Sequence, residues 1–108
     1  MGFSAMRLLY LFKRRTDLST QQFVEKLTEE RRRAMQLRGV TGAVVSLPIT
    51  LEGDRPPYDG VFEVEFPDYN TFSEAWSSPD GRAIVANFGM FADVSAIELL
   101  MLASALDS

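Results

Sequence analysis

Two neighbouring charged residues, Glu30 and Arg31, lie within a pattern that otherwise predicts the apolar face of a helix. Burying a charge is costly unless the charge is paired or is used to hold a ligand. We therefore expect Glu30 and Arg31 to form ion pairs with strand residues at the edge of that face. Alternatively, the guanidinium group of Arg31 donates several hydrogen bonds to a ligand carboxylate, enolate or carbonyl. At about 100° per residue, the apolar face comprises Phe23, Val24, Leu27, Ala34, Met35 and Leu37.

Two tyrosines are further candidates for a polar contact with a ligand. Tyr10 belongs to the apolar segment 6–13, and helices packed on its side of a sheet would place it near Arg31. Tyr58 lies in the sequence Pro56–Gly60, where turn formation alone explains the proline, aspartate and glycine. The Tyr58 hydroxyl is nevertheless suited to hydrogen-bond a ligand at the mouth of a pocket while its ring packs on the loop.

Several large apolar side chains can form either the core or the wall of a ligand pocket. Such residues more often belong to the core, but apolar walls with a few polar groups are also typical of small-molecule sites. We treat them as candidate ligand-binding residues together with Tyr10, Arg31 and Tyr58. They are Phe12, Leu27, Trp76, Phe88 and Phe91.

Glu63 and Glu65 alternate with apolar residues and so share one face of a predicted strand. Two like charges on one face need partners, and we expect cross-strand pairs with Arg7 or Lys13. The alternative is a pair of carboxylates acting as general acid and base, for which spacing on one strand is a weak signal.

Composition excludes several classes of function. The 108 residues contain neither Cys nor His, which removes disulfides, thiol nucleophiles and the usual ligands of transition metals. The net charge of −4 disfavours a nucleic-acid partner. Neither a signal-peptide pattern nor a long apolar run is present, so we expect a cytoplasmic protein with no membrane association. We also expect no metal and no cofactor, because glycine-rich phosphate-binding and dinucleotide-binding motifs are absent.

The elements that must position these residues follow from periodicity and capping signals. Strands are predicted at 6–13, 40–50, 60–66 and 95–102. Ser19 begins a capping-box sequence before a helix over 20–38, which Gly39 should end. Asp68 should cap a second helix that is interrupted near Pro79 and continues towards Phe88. Residues 51–59 are predicted to form a loop.

The order β-α-β-β-α-β predicts an α+β, ferredoxin-like domain over residues 6–103, with flexible termini at 1–5 and 104–108. Its four-stranded antiparallel sheet should carry helices on one face. The first and last strands have apolar residues on both faces, so the other face of the sheet also needs cover. A second copy of the sheet would supply that cover, and we therefore expect a homodimer.

Three groups of motifs occur in a consistent order. They are Leu11-Phe12-Lys13-Arg14 with Leu18-Ser19 and Phe23, then Pro56-Pro57-Tyr58-Asp59-Gly60, and then Ser78-Pro79-Asp80-Gly81-Arg82 with Phe91-Ala92-Asp93. In this order the chain resembles the EthD-like family of the dimeric α+β barrel superfamily. The resemblance implies the ferredoxin-like fold and dimerisation through the sheets. Its members are tied to ether degradation, and relatives act as small cyclases, dehydratases, isomerases or cofactor-free monooxygenases.

The chain departs from the family in its first helix. Family members typically carry a His there, and the register set by Phe23 puts Arg31 at that position. An acid–base role of that His does not transfer to Arg31, because a guanidinium does not titrate near neutral pH.

These observations favour a small-molecule-binding dimer with an apolar pocket between sheet and helices. We expect an apolar, oxygenated metabolite of a catabolic or secondary-metabolic pathway as its ligand. The protein could act as a cofactor-independent enzyme of the isomerase, cyclase, dehydratase or oxygenase type. The alternative is a non-catalytic dimeric accessory module that stabilises a partner protein, and the absence of His and Cys points towards it.

Overall fold

The predicted order of strands and helices is present in the computed structural model, which describes residues 5–50, 53 and 55–103. Short 3-10 helices at Phe88–Met90 and Val94–Ala96 lead into the last strand. The elements are β1 (Met6–Phe12), α1 (Thr20–Met35), β2 (Gly42–Ser46), β3 (Gly60–Phe66), α2 (Tyr69–Ser77), α3 (Pro79–Asn87) and β4 (Glu98–Ala103).

The four strands form one antiparallel sheet in the order β2-β3-β1-β4. This is the predicted ferredoxin-like α+β fold. Along β1 and β3, buried side chains alternate with partly exposed ones, as the period of two requires for strands that face a core on one side. The buried face meets α1, α2 and α3, so the helices lie on one side of the sheet.

The helix starts follow the capping signals in the sequence. Ser19 and Gln22 form a complete capping box, in which Ser19 Oγ accepts the Gln22 N–H and Gln22 Oε1 accepts the Ser19 N–H. Asp68 caps α2 by accepting the Thr71 N–H at 2.7 Å. Ser78 caps α3, with Pro79 as its first residue.

Some element ends differ from the expectation. The helix α1 ends at Met35 rather than near residue 38, and Gly39 follows with the positive φ of 89° that glycine tolerates. The strand β2 begins at Gly42 and ends at Ser46, before Pro48, so it is shorter than the predicted 40–50, and it lies at one edge of the sheet. The strand β4 begins only at Glu98, because Asp93 caps the preceding 3-10 turn. Part of the predicted 51–59 loop and both predicted termini, apart from residue 5, lie outside the described residues.

A single apolar core lies between the sheet and the helices. Aromatic rings dominate it, because β1, β3, α1 and the segment after α3 each contribute phenylalanines. Its most deeply buried large side chains are Leu8, Phe12, Phe23, Leu27, Phe62, Val64, Phe66, Ile84 and Phe91.

The opposite face of the sheet, here called the outer face, carries no helix formed by the described residues. The strand register places six apolar residues on it, with Arg7 and Glu65 at one end, Glu63 in the middle and Glu98 at the other end. This apolar area on an open sheet is of the kind that usually marks an interaction surface. The apolar residues are Leu9, Leu11, Val44, Val61, Leu100 and Leu102.

The strand β4 is exposed on both of its faces. Leu100 on the outer face is 47% exposed, and Leu99 and Met101 on the helix side are 46% and 52% exposed. Two apolar residues therefore remain open to solvent on the side of the sheet where helices pack. Within the described parts of the chain, no helix is long and apolar enough to cross a membrane.

Candidate functional site

Tyr10 lies at the centre of the aromatic core and carries a polar group into it. Its ring makes an edge contact with Phe88 at a centroid distance of 4.7 Å and stacks beside Trp76 at 6.3 Å. The indole Nε1–H of Trp76 donates a hydrogen bond to Tyr10 Oη, with 3.0 Å between the two atoms. A strand residue and a helix residue are thereby joined by one polar contact within an apolar cluster.

The Tyr10 hydroxyl remains available as a hydrogen-bond donor. Its oxygen accepts from Trp76, and its own hydrogen has no acceptor among the described residues. Burial raises the pKa of Tyr10, and the Trp76 hydrogen bond only partly opposes that effect. The phenol therefore stays protonated at neutral pH and can donate to a carbonyl or an enolate oxygen.

An apolar surface adjoins Tyr10 on the neighbouring strand. Leu99 is the direct cross-strand partner of Tyr10, and Met101 is the partner of Leu8, so both lie on the helix side of the sheet. We call Leu99 and Met101 the β4 shelf. The β4 shelf contributes exposed apolar area, and the Tyr10 hydroxyl contributes one hydrogen-bond donor. Trp76, which is half-buried, contacts that hydroxyl.

The remaining aromatic candidates form the packed core behind Tyr10. Phe12 lies 4.9 Å from Phe88 and 5.3 Å from Phe91, measured between ring centroids, and all three are 2% exposed or less. Leu27 is fully buried in the same cluster. The structure therefore brings the predicted aromatic residues together, but Phe12, Leu27, Phe88 and Phe91 support the site from behind.

Arg31 lies at the far edge of the sheet from the β4 shelf. Its side chain is exposed, and its Nε donates to the backbone carbonyl of Ala43 in β2 at 2.8 Å. Because β3 and β1 separate β2 from β4, Arg31 is not beside the β4 shelf, and the Tyr10 hydroxyl meets Trp76 instead. Glu30 also differs from the expectation, since it pairs with Arg33 of its own helix at 2.6 Å rather than with a strand residue.

We expect Arg31→Met to change stability only slightly. Methionine keeps much of the stem, and the lost hydrogen bond is to a carbonyl at a solvated sheet edge, so unfolding free energy should fall by about 1 kcal/mol or less. Urea unfolding measures this, with Arg32→Met on the exposed side of α1 as the control. A loss of about 3 kcal/mol would contradict the observed placement, because it would require a buried carboxylate partner.

Tyr58 belongs to the other side of the sheet, the outer face. The Glu98 carboxylate is the main reason that the Tyr58 pKa is raised, because this acceptor favours the protonated phenol. Glu98 is the partner of Leu11 on the outer face, so the hydroxyl groups of Tyr58 and Tyr10 belong to opposite faces.

The two strand glutamates have separate partners. Glu63 forms the expected cross-strand ion pair with Arg7, at 3.1 Å between Oε2 and Nη1. Glu65 instead accepts from the Thr41 hydroxyl at 2.9 Å. These partners account for the two charges on one strand face without a catalytic role.

The sequence interpretation did not identify Leu99 and Met101 as site residues. The signal is present, since 99–102 is apolar on both strand faces, but the sequence analysis relates it to the dimer interface alone. Which face stays open depends on where α2 packs, and α2 contacts β3 rather than β4.

Comparison with known proteins gives structural neighbours only. No protein-family model matches this sequence, and no curated protein matches it. A crystal structure of an ethyl tert-butyl ether degradation (EthD) family protein from Bacillus halodurans has a TM-score of 0.76 and 16% identity, covering 93% of this chain and 98% of that one. Hydroxynitrile lyase from Passiflora edulis has a TM-score of 0.80 and 11% identity, covering 97% of each chain.

Two further neighbours bear on chemistry and assembly. SnoaB from Streptomyces nogalater, described as a cofactor-independent oxygenase, has a TM-score of 0.71 and 10% identity over 96% of each chain. A protein of unknown function from Thermobifida fusca, described as dimeric and ferredoxin-like, has a TM-score of 0.72 and 15% identity, covering 96% of this chain and 93% of that one. At these identities the likeness shows the fold, and it confirms the ferredoxin-like architecture expected from the EthD resemblance.

Proposed function

We propose that this protein binds an apolar, oxygenated small molecule on the helix side of β4. The observation that carries the proposal is the pairing of Tyr10 with exposed Leu99 of the β4 shelf. Tyr10 is itself buried, its hydroxyl accepts from Trp76, and the hydroxyl hydrogen has no acceptor among the described residues. The apolar part of the ligand would pack on Leu99 and Met101, and a carbonyl or enolate oxygen would accept from Tyr10. Sites of this kind combine apolar walls with a few placed polar groups.

In an enzymatic role, the same hydroxyl would stabilise negative charge that develops on the ligand oxygen. Such an oxyanion forms when a base removes a proton from the carbon next to a carbonyl group and the electron pair passes to the carbonyl oxygen, as in the enolate of an isomerase reaction. The description of SnoaB as a cofactor-independent oxygenase supports this type of chemistry on this fold. The alternative role is a non-catalytic dimeric accessory module that stabilises a partner protein, for which the small molecule would be recovered unchanged after incubation.

We also propose that the functional unit is a homodimer formed through the outer faces of two sheets. Six apolar residues lie on that face, of which Val44 and Leu100 are exposed and the other four partly exposed, and β4 is exposed on both sides. The structural neighbour from Thermobifida fusca is described as dimeric, which supports this assembly.

The test uses a matched pair of probes, 1-tetralone and tetralin, which differ in one carbonyl group. We expect Tyr10→Phe to weaken tetralone binding by about three- to tenfold, because one hydrogen bond between neutral groups is lost, and to leave tetralin binding unchanged. Trp76 is the only tryptophan and contacts Tyr10, so its fluorescence reports binding, with thermal shift as a second readout.

Tyr69→Phe is the control, because Tyr69 is an exposed phenol on α2 outside the proposed site. It should bind both probes as the wild type does. Equal losses for tetralone and tetralin in Tyr10→Phe would reject the donor role, and absence of saturable binding by either probe would reject the site.

A further inference from the structure

The two edges of the sheet differ in how their backbone is covered. The order β2-β3-β1-β4 leaves β2 and β4 each with a neighbouring strand on one side only. On its open side, an edge strand presents backbone N–H and C=O groups to which a strand of another chain can add. At β2, the Arg31 Nε donates to the Ala43 carbonyl oxygen at 2.8 Å. Among the described residues, no side chain makes a comparable hydrogen bond to the backbone of β4.

The strand β2 lacks the features that usually protect an edge strand. Such strands commonly carry charged side chains, a proline or a bulge. The five residues of β2 are uncharged, Val44 and Val45 favour a strand, and Pro48 lies beyond its end. The nearest charged residues in the sequence are Arg38 and Glu52. A short, uncharged and strand-favouring segment at an open edge is prone to pair with another copy of itself.

Arg31 supplies the charge that β2 lacks. Its exposed side chain extends from α1, and one of its N–H groups bonds to Ala43. Within the described residues it forms no ion pair, in contrast to Arg32 and Arg33 on the same helix. The rest of the guanidinium therefore keeps its full charge in water. A strand that added to β2 would have to displace the Arg31 hydrogen bond and remove water from this cation, which is costly.

We propose that Arg31 protects the β2 edge from the addition of β2 of a second copy. A twofold axis would relate the two strands of such a pair, so two Arg31 cations would meet at one edge. Neither β2 strand has a carboxylate to compensate them. With β2 protected, pairing between two β4 edges ends with two copies, whereas two open edges per chain would allow assembly to continue. The proposal concerns the sheet edge and does not depend on the outer-face dimer.

Sedimentation velocity of the full chain tests the proposal with Arg31→Met, because methionine keeps much of the stem but has neither the charge nor a donor. We expect this variant to form species larger than the wild-type assembly at about tenfold lower protein concentration, since one hydrogen bond and one repulsive contact no longer oppose pairing. The mass of these species should keep rising with concentration.

Arg32→Met is the control, because it removes the same charge from an exposed position of α1 whose guanidinium pairs with Glu29 instead. It should sediment as the wild type does, and circular dichroism confirms that both variants are folded. Equal sedimentation of Arg31→Met and Arg32→Met would overturn the proposal.

A conservative variant and a measurement of location complete the test. Arg31→Lys keeps a charge and a donor, so the concentration at which it associates should lie within about threefold of the wild-type value. Hydrogen exchange followed by mass spectrometry should be slower in Gly42–Ser46 of associated Arg31→Met than in the wild type. Association of Arg31→Lys equal to that of Arg31→Met, or slower exchange confined to Glu98–Ala103, would overturn the protective role.

Discussion

A Leu9→Lys variant is expected to be monomeric at concentrations where the wild type is a dimer. Leu9 lies in the middle of the outer face, between Glu63 on β3 and Leu100 on β4. In the single chain, the new ammonium group would face water beside Glu63, so folding should be little affected. In a sheet-to-sheet dimer it would be buried, and twofold symmetry would bury one such charge from each copy.

The expected effect is an increase in the dimer dissociation constant of at least 100-fold, since burying a charge in an apolar interface costs several kcal/mol. Sedimentation equilibrium measures this against the chain mass of 12.1 kDa. Val85→Lys is the matched control, because Val85 is an exposed apolar residue on α3, on the helix side of the molecule. Circular dichroism confirms that both variants are folded.

The dimer proposal fails if the wild type has the mass of one chain at micromolar concentration. It also fails if Leu9→Lys remains as dimeric as the Val85→Lys control. Dissociation of Val85→Lys, with Leu9→Lys still dimeric, would place the interface on the helix side instead of the outer face.

The fold could be predicted because its signals are local. In β3 the alternation of Glu63 and Glu65 with phenylalanine and valine indicates which face is buried, over a strand of seven residues. The starts of the helices depend on hydrogen bonds across three residues, such as those of Ser19 and Ser78, so a short stretch of sequence contains the whole signal. The predicted ends of β2 and β4 were less accurate, because where these strands begin and end depends on neighbouring strands and loops.

The candidate site could be predicted only in part, because it depends on contacts between distant residues. Tyr10 and Trp76 were both candidates, but their hydrogen bond joins residues 66 positions apart and follows from the docking of α2. Arg31 lay near the apolar arc of the helical wheel, yet its long side chain reaches out to the β2 edge, as charged side chains at such borders commonly do. A helical wheel shows from which side of the helix a side chain projects, but it does not show which neighbouring residues bury that side chain.

Gly81→Ala is expected to lower the free energy of unfolding by about 3 kcal/mol. Gly81 is buried where α3 packs against the end of α2. A methyl group there would overlap the Ala75 carbonyl oxygen and lie 2.8 Å from the Cα of Trp76. These are backbone atoms, so no side-chain rotation relieves the contact, and the two helices must separate.

Gly89→Ala provides the comparison, because its added methyl group would meet only the Val94 side chain at 3.3 Å. Val94 is largely exposed and can move, so that variant should change stability by less than about 1 kcal/mol. Urea unfolding at one protein concentration measures both variants, and Trp76 fluorescence reports the local geometry. Because Trp76 donates to Tyr10, separation of α2 from α3 should also alter the indole environment in folded Gly81→Ala. A Gly81→Ala variant that is as stable as Gly89→Ala and has unchanged fluorescence would show that α2 and α3 are not packed this closely. Trp76 would then not be held in place by this packing, and the orientation of the Tyr10 hydroxyl would lose its support.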